Sequence, residues 1–239
     1  SDMSGRLSLY VMAAQPGGSV PLPLLPPHIA LQNPHLIGGY PFYVFPALGK
    51  ILVMLDNNGD ENYQPMLVSQ DGGYPEPAFG DQLANTRCHV TRCDAERNLI
   101  YLVAESRSEP MNVSYCADLA SGTLRELMRS MWGAYPEAVN KSHTKVILNE
   151  GYTAGDSVLY LWDSGELSML YGTPLDKRRE GEQVALSAIF NCQFAPGDDA
   201  LLFATALFND AYGLGYLPLS GQKEIRPVNV RGARHNGLG

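Results

Sequence analysis

The chain has 239 residues, of which 45% are apolar and 18% charged; this is enough to bury a sizeable core and excludes an intrinsically disordered chain. A net charge of −8 excludes a general surface for nucleic acid or anionic membrane, because phosphate binding needs clustered Lys and Arg. No run approaches the roughly 20 apolar residues of a membrane-spanning helix, and the start of the chain carries no visible signal peptide.

In chain order, residues 1–40 are rich in Pro and short apolar groups, with Val20-Pro-Leu-Pro-Leu-Leu-Pro-Pro27 at their centre. Proline removes backbone donors and fixes φ, so this stretch is predicted to be an extended, packed lead-in. Asn33-Pro34-His35 opens a repeating region. The first repeat, about 41–80, has the apolar run Lys50-Ile51-Leu52-Val53-Met54-Leu55, of the kind expected for a strand buried on both faces. Asp56-Asn57-Asn58-Gly59-Asp60 supplies a hairpin turn, and residues 63–68 return as the partner strand. The second repeat, about 88–130, pairs residues 98–104 with 112–118 across the polar link 105–110. The third, about 140–175, pairs 144–149 with 157–162 through a link at 151–155. Residues 180–189 are predicted to form a short helix, because Val184, Leu186 and Ile189 are loosely periodic. The fourth repeat, about 190–230, pairs 200–205 with 212–217.

A glycine turn recurs in each repeat: Asp71-Gly72-Gly73, Ser121-Gly122-Thr123, Ser164-Gly165-Glu166 and Ser220-Gly221-Gln222, with spacings of 50, 43 and 56 residues. Each turn follows a short apolar run and precedes another extended segment. Short strands and glycine turns repeating every 40–50 residues or so are the signature of β-propeller blades. The expected fold class is therefore all-β, a β-propeller of about four recognisable four-stranded blades over 41–239, the first strand of each blade being the least distinct. Such a set stands alone or forms part of a larger seven- or eight-bladed propeller.

Two segments carry a resemblance to a known family. Residues 49–55 with Asp56-Asn57-Asn58-Gly59-Asp60-Glu61-Asn62-Tyr63-Gln64 resemble the strand, D-x-x-G-D-E-x-x-Q, strand hairpin of propellers in prolyl-oligopeptidase-type serine peptidases. Phe194-Ala195-Pro196-Gly197-Asp198-Asp199-Ala200-Leu201-Leu202-Phe203 is similar to the F-S-P-D-G-x-x-L-x-F blade opening of those proteins and of TolB-like propellers; its serine and glycine positions depart from the pattern. The resemblance covers roughly 41–230. It implies a non-catalytic propeller that gates or positions a peptide or ester substrate for an α/β-hydrolase domain lying outside this chain. Residues 231–239 read as a chain in mid-course. The alternative partner is another protein, bound at the rim of a stand-alone TolB- or WD-type propeller through loops such as 105–110. Self-association through open sheet edges is a further expectation. A weaker alternative is a metal-dependent propeller lyase or lactonase.

No catalytic, cofactor-binding or metal-ligating residue is assigned, and no cofactor is expected. A nucleophile elbow needs Gly-x-Ser-x-Gly, whereas Gly155-Asp156-Ser157-Val158-Leu159 has the first glycine only. Ser157 falls at a strand start and is not read as a nucleophile. Asp56, Asn58 and Asp60 have the alternating oxygens of a calcium loop, but Glu61 stands where its glycine belongs, so a hairpin turn is the reading. His28, His35, His89, His143 and His235 are scattered; His89, His143 and Glu150 are the only candidates for a metal gathered from several blades. Tyr63, Tyr101, Tyr160, Trp162 and Tyr216 are expected to pack the blades, with one or two available to a ligand-binding mouth. Lys177-Arg178-Arg179 is followed by Glu180 and Glu182 and reads as a solvated loop. Cys88, Cys93, Cys116 and Cys192 read as reduced thiols, in keeping with a cytoplasmic location. Asn112-Val-Ser114 and Asn140-Lys-Ser142 match the glycosylation acceptor by chance.

Overall fold

The computed structural model describes residues 6–14, 17–32, 40–57, 59–208 and 211–228. A two-stranded ribbon, β1 (Tyr10–Val11) with β2 (Leu22–Pro23), comes first. Four antiparallel sheets of four strands follow. The first holds β3 (Phe42–Phe45), β4 (Lys50–Leu55), β5 (Gln64–Ser69) and β6 (Glu76–Pro77). The second holds β7 (Thr86–Asp94), β8 (Leu99–Ser106), β9 (Asn112–Asp118) and β10 (Thr123–Ser130). The third holds β11 (Ala134–Val139), β12 (Lys145–Thr153), β13 (Asp156–Asp163) and β14 (Glu166–Tyr171). The fourth holds β15 (Phe190–Phe194), β16 (Ala200–Thr205), β17 (Gly213–Pro218) and β18 (Arg226–Pro227). Each sheet is a meander, with sequence neighbours paired in space, which is the architecture of a propeller blade. No helix among the described residues is long and apolar enough to cross a membrane.

The recurring turn occupies the same place in every blade, between the third and fourth strands. Gly72, Gly122, Gly165 and Gly221 have φ of +87°, +69°, +111° and +73°. This left-handed backbone is costly for residues with a Cβ, which is why the repeat shows as glycine in the sequence. The central strands are the apolar runs: β4 and β8 bury Leu52, Val53, Ile100, Leu102 and Val103 completely. The first strands β3, β7, β11 and β15 are harder to see because they mix exposed and buried positions, and β11 contains Pro136.

The chain forms two compact units, and the boundary between them runs through the second sheet. In the first unit, Phe45, Leu52, Ile100, Leu102 and Ala117 centre one core, and Leu9, Leu24, Leu25 and Leu31 pack with Ile51, Val53 and Val68 in another. In the second unit, Ile147, Leu159, Cys192, Leu201, Phe203 and Leu217 form a single core.

Three sequence expectations change. Residues 180–189 form no helix; a 3-10 turn at Leu175–Lys177 leads into irregular chain. Ser187 and Ile189 are buried while Leu186 is 61% exposed, so the apolar positions build no helical face. The third-blade link is shorter than expected, since β12 continues to Thr153 and the turn is Ala154-Gly155. Within the basic run, Arg178 is not solvated but paired with Asp156. Asn140 is buried, and its amide donates to Ser142, Thr144 and Asp198, which makes it part of the fold.

Candidate functional site

A groove of about 350 Å³ lies in the second unit, between the third and fourth blades. Strand pleating sets its first wall. Along β11, Ala134, Pro136 and Ala138 turn inward, which sends Tyr135 and Glu137 to the opposite face. The register of β11 against β12 shifts between Pro136 and Ala138, leaving Glu137 as the extra residue of a bulge. Bulges re-aim side chains in this way. Tyr135 stands opposite Asn149 on β12, and Asn149, Gly151 and Thr153 continue along one face of that strand. Gly151 leaves space: a Cβ placed there would meet no atom within 4 Å.

The other wall comes from the start of the fourth blade. Ala188, Ile189 and Phe190 line it together with Tyr212. The Phe190 and Tyr212 rings meet edge to face at 5.0 Å. The Ala188 amide donates to the Gly155 carbonyl at 2.9 Å, and Thr205 Oγ1 donates to the Ser187 carbonyl at 2.5 Å. Ala188 and Asn191 take φ of +43° and +55°. Non-glycine residues held in this region cost free energy and gather at functional sites. Asn149 joins the walls, its Nδ2 donating to the Ile189 carbonyl at 3.0 Å, while its Oδ1 is buried with no hydrogen-bond partner.

Behind the first wall lies a buried carboxylate. Glu150 is 6% exposed and accepts hydrogen bonds from Ser130 Oγ, from Tyr152 OH at 2.6 Å and from Tyr160 OH at 3.3 Å. Ser130 Oγ in turn accepts the Trp132 amide at 3.0 Å. Tyr152 meets Trp132 edge to face at 5.6 Å and accepts the Leu175 amide at 3.2 Å. Burial, helped by the bond to Glu150, pushes the Tyr152 phenol up to about 12, so it stays a donor at neutral pH. Arg178 lies over the Tyr152 ring at 4.9 Å and forks onto Asp156 at 2.6 and 2.8 Å. That pairing raises the Arg178 guanidinium above its ordinary value. The connected set Glu150, Tyr152, Arg178 and Asp156 thus fixes Trp132, which is 52% exposed and forms one lip of the groove.

The residues weighed from sequence are placed as follows. Ser157 is the second residue of β13 and lines the groove, but no His among the described residues lines it with Ser157. His143 lies in the turn before β12, with φ of +58°, whereas Glu150 lies within that strand, so β12 does not bring the two side chains to one place. His89 is on β7. No group of three or more His, Cys, Asp or Glu among the described residues could hold a metal. His28 stacks obliquely with Tyr74 at 6.1 Å, and His35 and His235 lie outside the described residues. In the turn at 56–62, Asp60 Oδ1 accepts the amides of Asn57 and Asn62 at 3.1 and 3.0 Å, so its carboxylate closes the hairpin; Asn58 lies outside the described residues. Backbone bonds of this kind, the Asn62 amide first, hold Asp60 below the usual carboxylate range. All four cysteines are free thiols. Tyr63, Tyr101 and Trp162 are buried, whereas Tyr160 and Tyr216 are half-buried. None of these five lines the groove, whose aromatic residues are Trp132, Tyr135, Phe190 and Tyr212.

No protein-family model and no curated protein matches the chain. Among solved structures it is similar to an oligogalacturonate lyase from Vibrio parahaemolyticus, with 14% identity and a TM-score of 0.50 over 74% of this chain and 47% of that one. It is also similar to TolB from Acinetobacter baumannii, with 15% identity and a TM-score of 0.49 over 77% of this chain and 42% of that one. The β-propeller domain of the trilobed protease from Pyrococcus furiosus matches at 13% identity and a TM-score of 0.40, over 78% of this chain and 68% of that domain. The chain spans less than half the length of the lyase and of TolB. At such identities the likeness shows the fold alone: the four meander sheets are blades of the β-propeller class that the two sequence segments resemble.

Proposed function

We propose that this chain is a non-catalytic propeller module that holds an extended peptide or ester substrate for a serine-hydrolase domain lying outside it. The observation that carries this reading is the groove between the third and fourth blades. It joins exposed aromatic surface (Trp132, Tyr135 and Tyr212 are 52%, 40% and 47% exposed) to a polar floor at Asn149 and Glu137. Rigid aromatic side chains with a polar tip suit peptide recognition, because they contribute large contact area at low conformational cost. The resemblance of residues 49–64 and 194–203 to prolyl-oligopeptidase-type propellers supplies the hydrolase partner.

The reading frame of the native gene tests it. A frame that carries a Gly-x-Ser-x-Gly elbow with downstream Asp and His supports the hydrolase partner. Within that whole polypeptide, Trp132→Ala should raise KM for peptide anilides roughly tenfold, as expected for an interface aromatic, and leave small p-nitrophenyl esters within about twofold. The present chain alone should turn over neither. Turnover by the chain alone overturns the non-catalytic reading, and a frame with no hydrolase overturns the partner and leaves a stand-alone protein-binding propeller of TolB or WD type.

A further inference from the structure

We infer that the outer edge of the third blade docks a second copy of this chain, β14 pairing antiparallel with β14 of that copy about Ser168. No residue of β14 lines the groove, so this surface is independent of the peptide reading. An open strand edge is a template for another strand, and proteins protect such edges with short length, proline or charge. The fourth strands of the other three sheets carry these devices. β6 and β18 have two residues each and include Pro77 and Pro227. β10 carries Arg125, Glu126 and Arg129. β14 is six residues long, without proline or cation, and bears one charge, Glu166, at its start. Its first four residues are exposed, and Leu167 and Met169 are each 44% exposed.

The backbone pattern fixes which groups face the edge. The two-residue turn Ser164-Gly165 makes Asp163 and Glu166 the closing pair of the hairpin, and Ser168 opposite Leu161 is the next pair bonded to β13. Leu167 and Met169 therefore direct their amides and carbonyls outward. From that side the Met169 carbonyl accepts Lys223 Nζ, at 3.4 Å, from the fourth blade. Leu170, the extra residue of a bulge, ends the regular stretch. Pairing about Ser168 sets Leu167 against Met169 of the second copy and Met169 against its Leu167. The outward donors and acceptors then meet one another, and four apolar side chains share one face. Charge complementarity selects a second copy as the occupant. Glu166 of that copy falls opposite Leu170, beside the Met169 carbonyl that Lys223 reaches, and the two-fold axis repeats this ion pair. The paired edges set no like charges opposite each other. A strand pair this short buries less than the roughly 1,000 Å² of a stable interface, so the dimer is weak and depends on concentration.

The test combines light scattering of the chain with cross-linking. The average mass should rise from one chain toward two between about 10 μM and 1 mM, the range of so small an interface. Ser168→Cys should yield a disulfide-linked dimer with oxidised glutathione, because directly opposed positions between hydrogen-bonded pairs hold their Cα atoms about 4.5 Å apart, within disulfide reach. Leu167→Cys, which faces Met169 and not itself, should not. Cys88, Cys116 and Cys192 are buried and Cys93 half-buried, so the parent supplies the background. Lys223→Glu should weaken the dimer about tenfold, as two exposed ion pairs become repulsions, and adding Glu166→Lys should restore it. Both positions are exposed, so these variants should keep the parent unfolding midpoint. A chain that stays single throughout, or equal cross-linking at 167 and 168, overturns the self-pairing. A dimer that Lys223→Glu leaves unchanged places the interface elsewhere and overturns the assignment to β14. A chain that stays single but binds a blocked Thr-Val-Thr-Val peptide in calorimetry takes a foreign strand, which likewise overturns the second copy.

Discussion

Glu150 shows how a single buried charge organises its surroundings. A carboxylate removed from water is costly unless hydrogen-bonded, and here Ser130, Tyr152 and Tyr160 supply three hydroxyl donors. The donors are then not free to adopt other rotamers, so Tyr152 holds Trp132 on one side and Arg178 on the other. His89 offers a residue-scale test in the first unit. Burial, followed by the nearby Arg87 charge, holds it below the ordinary 6.5. Folding therefore favours its neutral ring. Its stabilising contribution is complete above about pH 6.5 and is lost as pH falls through the depressed value. Urea unfolding between pH 5 and 8 should show an acid-side decline that His89→Gln makes shallower. An identical slope in parent and variant would falsify the assignment.

The strand turns show why some glycines matter more than others. Gly122 and Gly172 both have left-handed backbone, at φ +69° and +91°. A Cβ at Gly122 meets nothing within 4 Å, whereas at Gly172 it would come within 2.8 Å of the Ser157 carbonyl oxygen and 3.1 Å of Val158 Cα. Gly122→Ala thus carries the conformational cost alone, about 1 kcal/mol, while Gly172→Ala adds overpacking against backbone and should lose about 2–4 kcal/mol. Denaturant midpoints of the two variants check the order. Gly172 also ends β14 and opens the connection to the fourth blade. Arg178 clamps that connection by bonding the Thr173 carbonyl with Nε and Asp156 with its fork. Two-point contact of this kind resists rotation in a way that a Lys at the same place would not.

For the whole molecule the charge balance decides which partners are admissible. The chain carries −8, and its one basic run is neutralised locally, with Arg178 on Asp156 and Glu180 and Glu182 following at once. Clustered cations are what retain a protein on polyanions, through counterion release. The chain should therefore pass through a heparin column at about 50 mM salt and be retained by an anion exchanger. Retention on heparin would show a basic face that the charge distribution does not provide.

Much of the fold was legible in the sequence because its determinants are local. Apolar runs such as Lys50–Leu55 and left-handed turns such as that at Gly165 need only a few consecutive residues to be recognised. The strand pairings within each blade follow, since short links leave few alternatives. The first strands were less legible, because partial exposure blurs their alternation and Pro136 interrupts one of them. The groove was not legible at all. Trp132, Tyr135, Asn149, Phe190 and Tyr212 span 80 residues of sequence and form no motif; only the packing of one blade against the next brings them to one surface. Tertiary structure likewise decided the role of Arg178, which in the sequence is one of three adjacent cations and in the fold is the one that reaches Asp156, 22 residues away. Local conformational preference determined the blades, and long-range packing determined what they present.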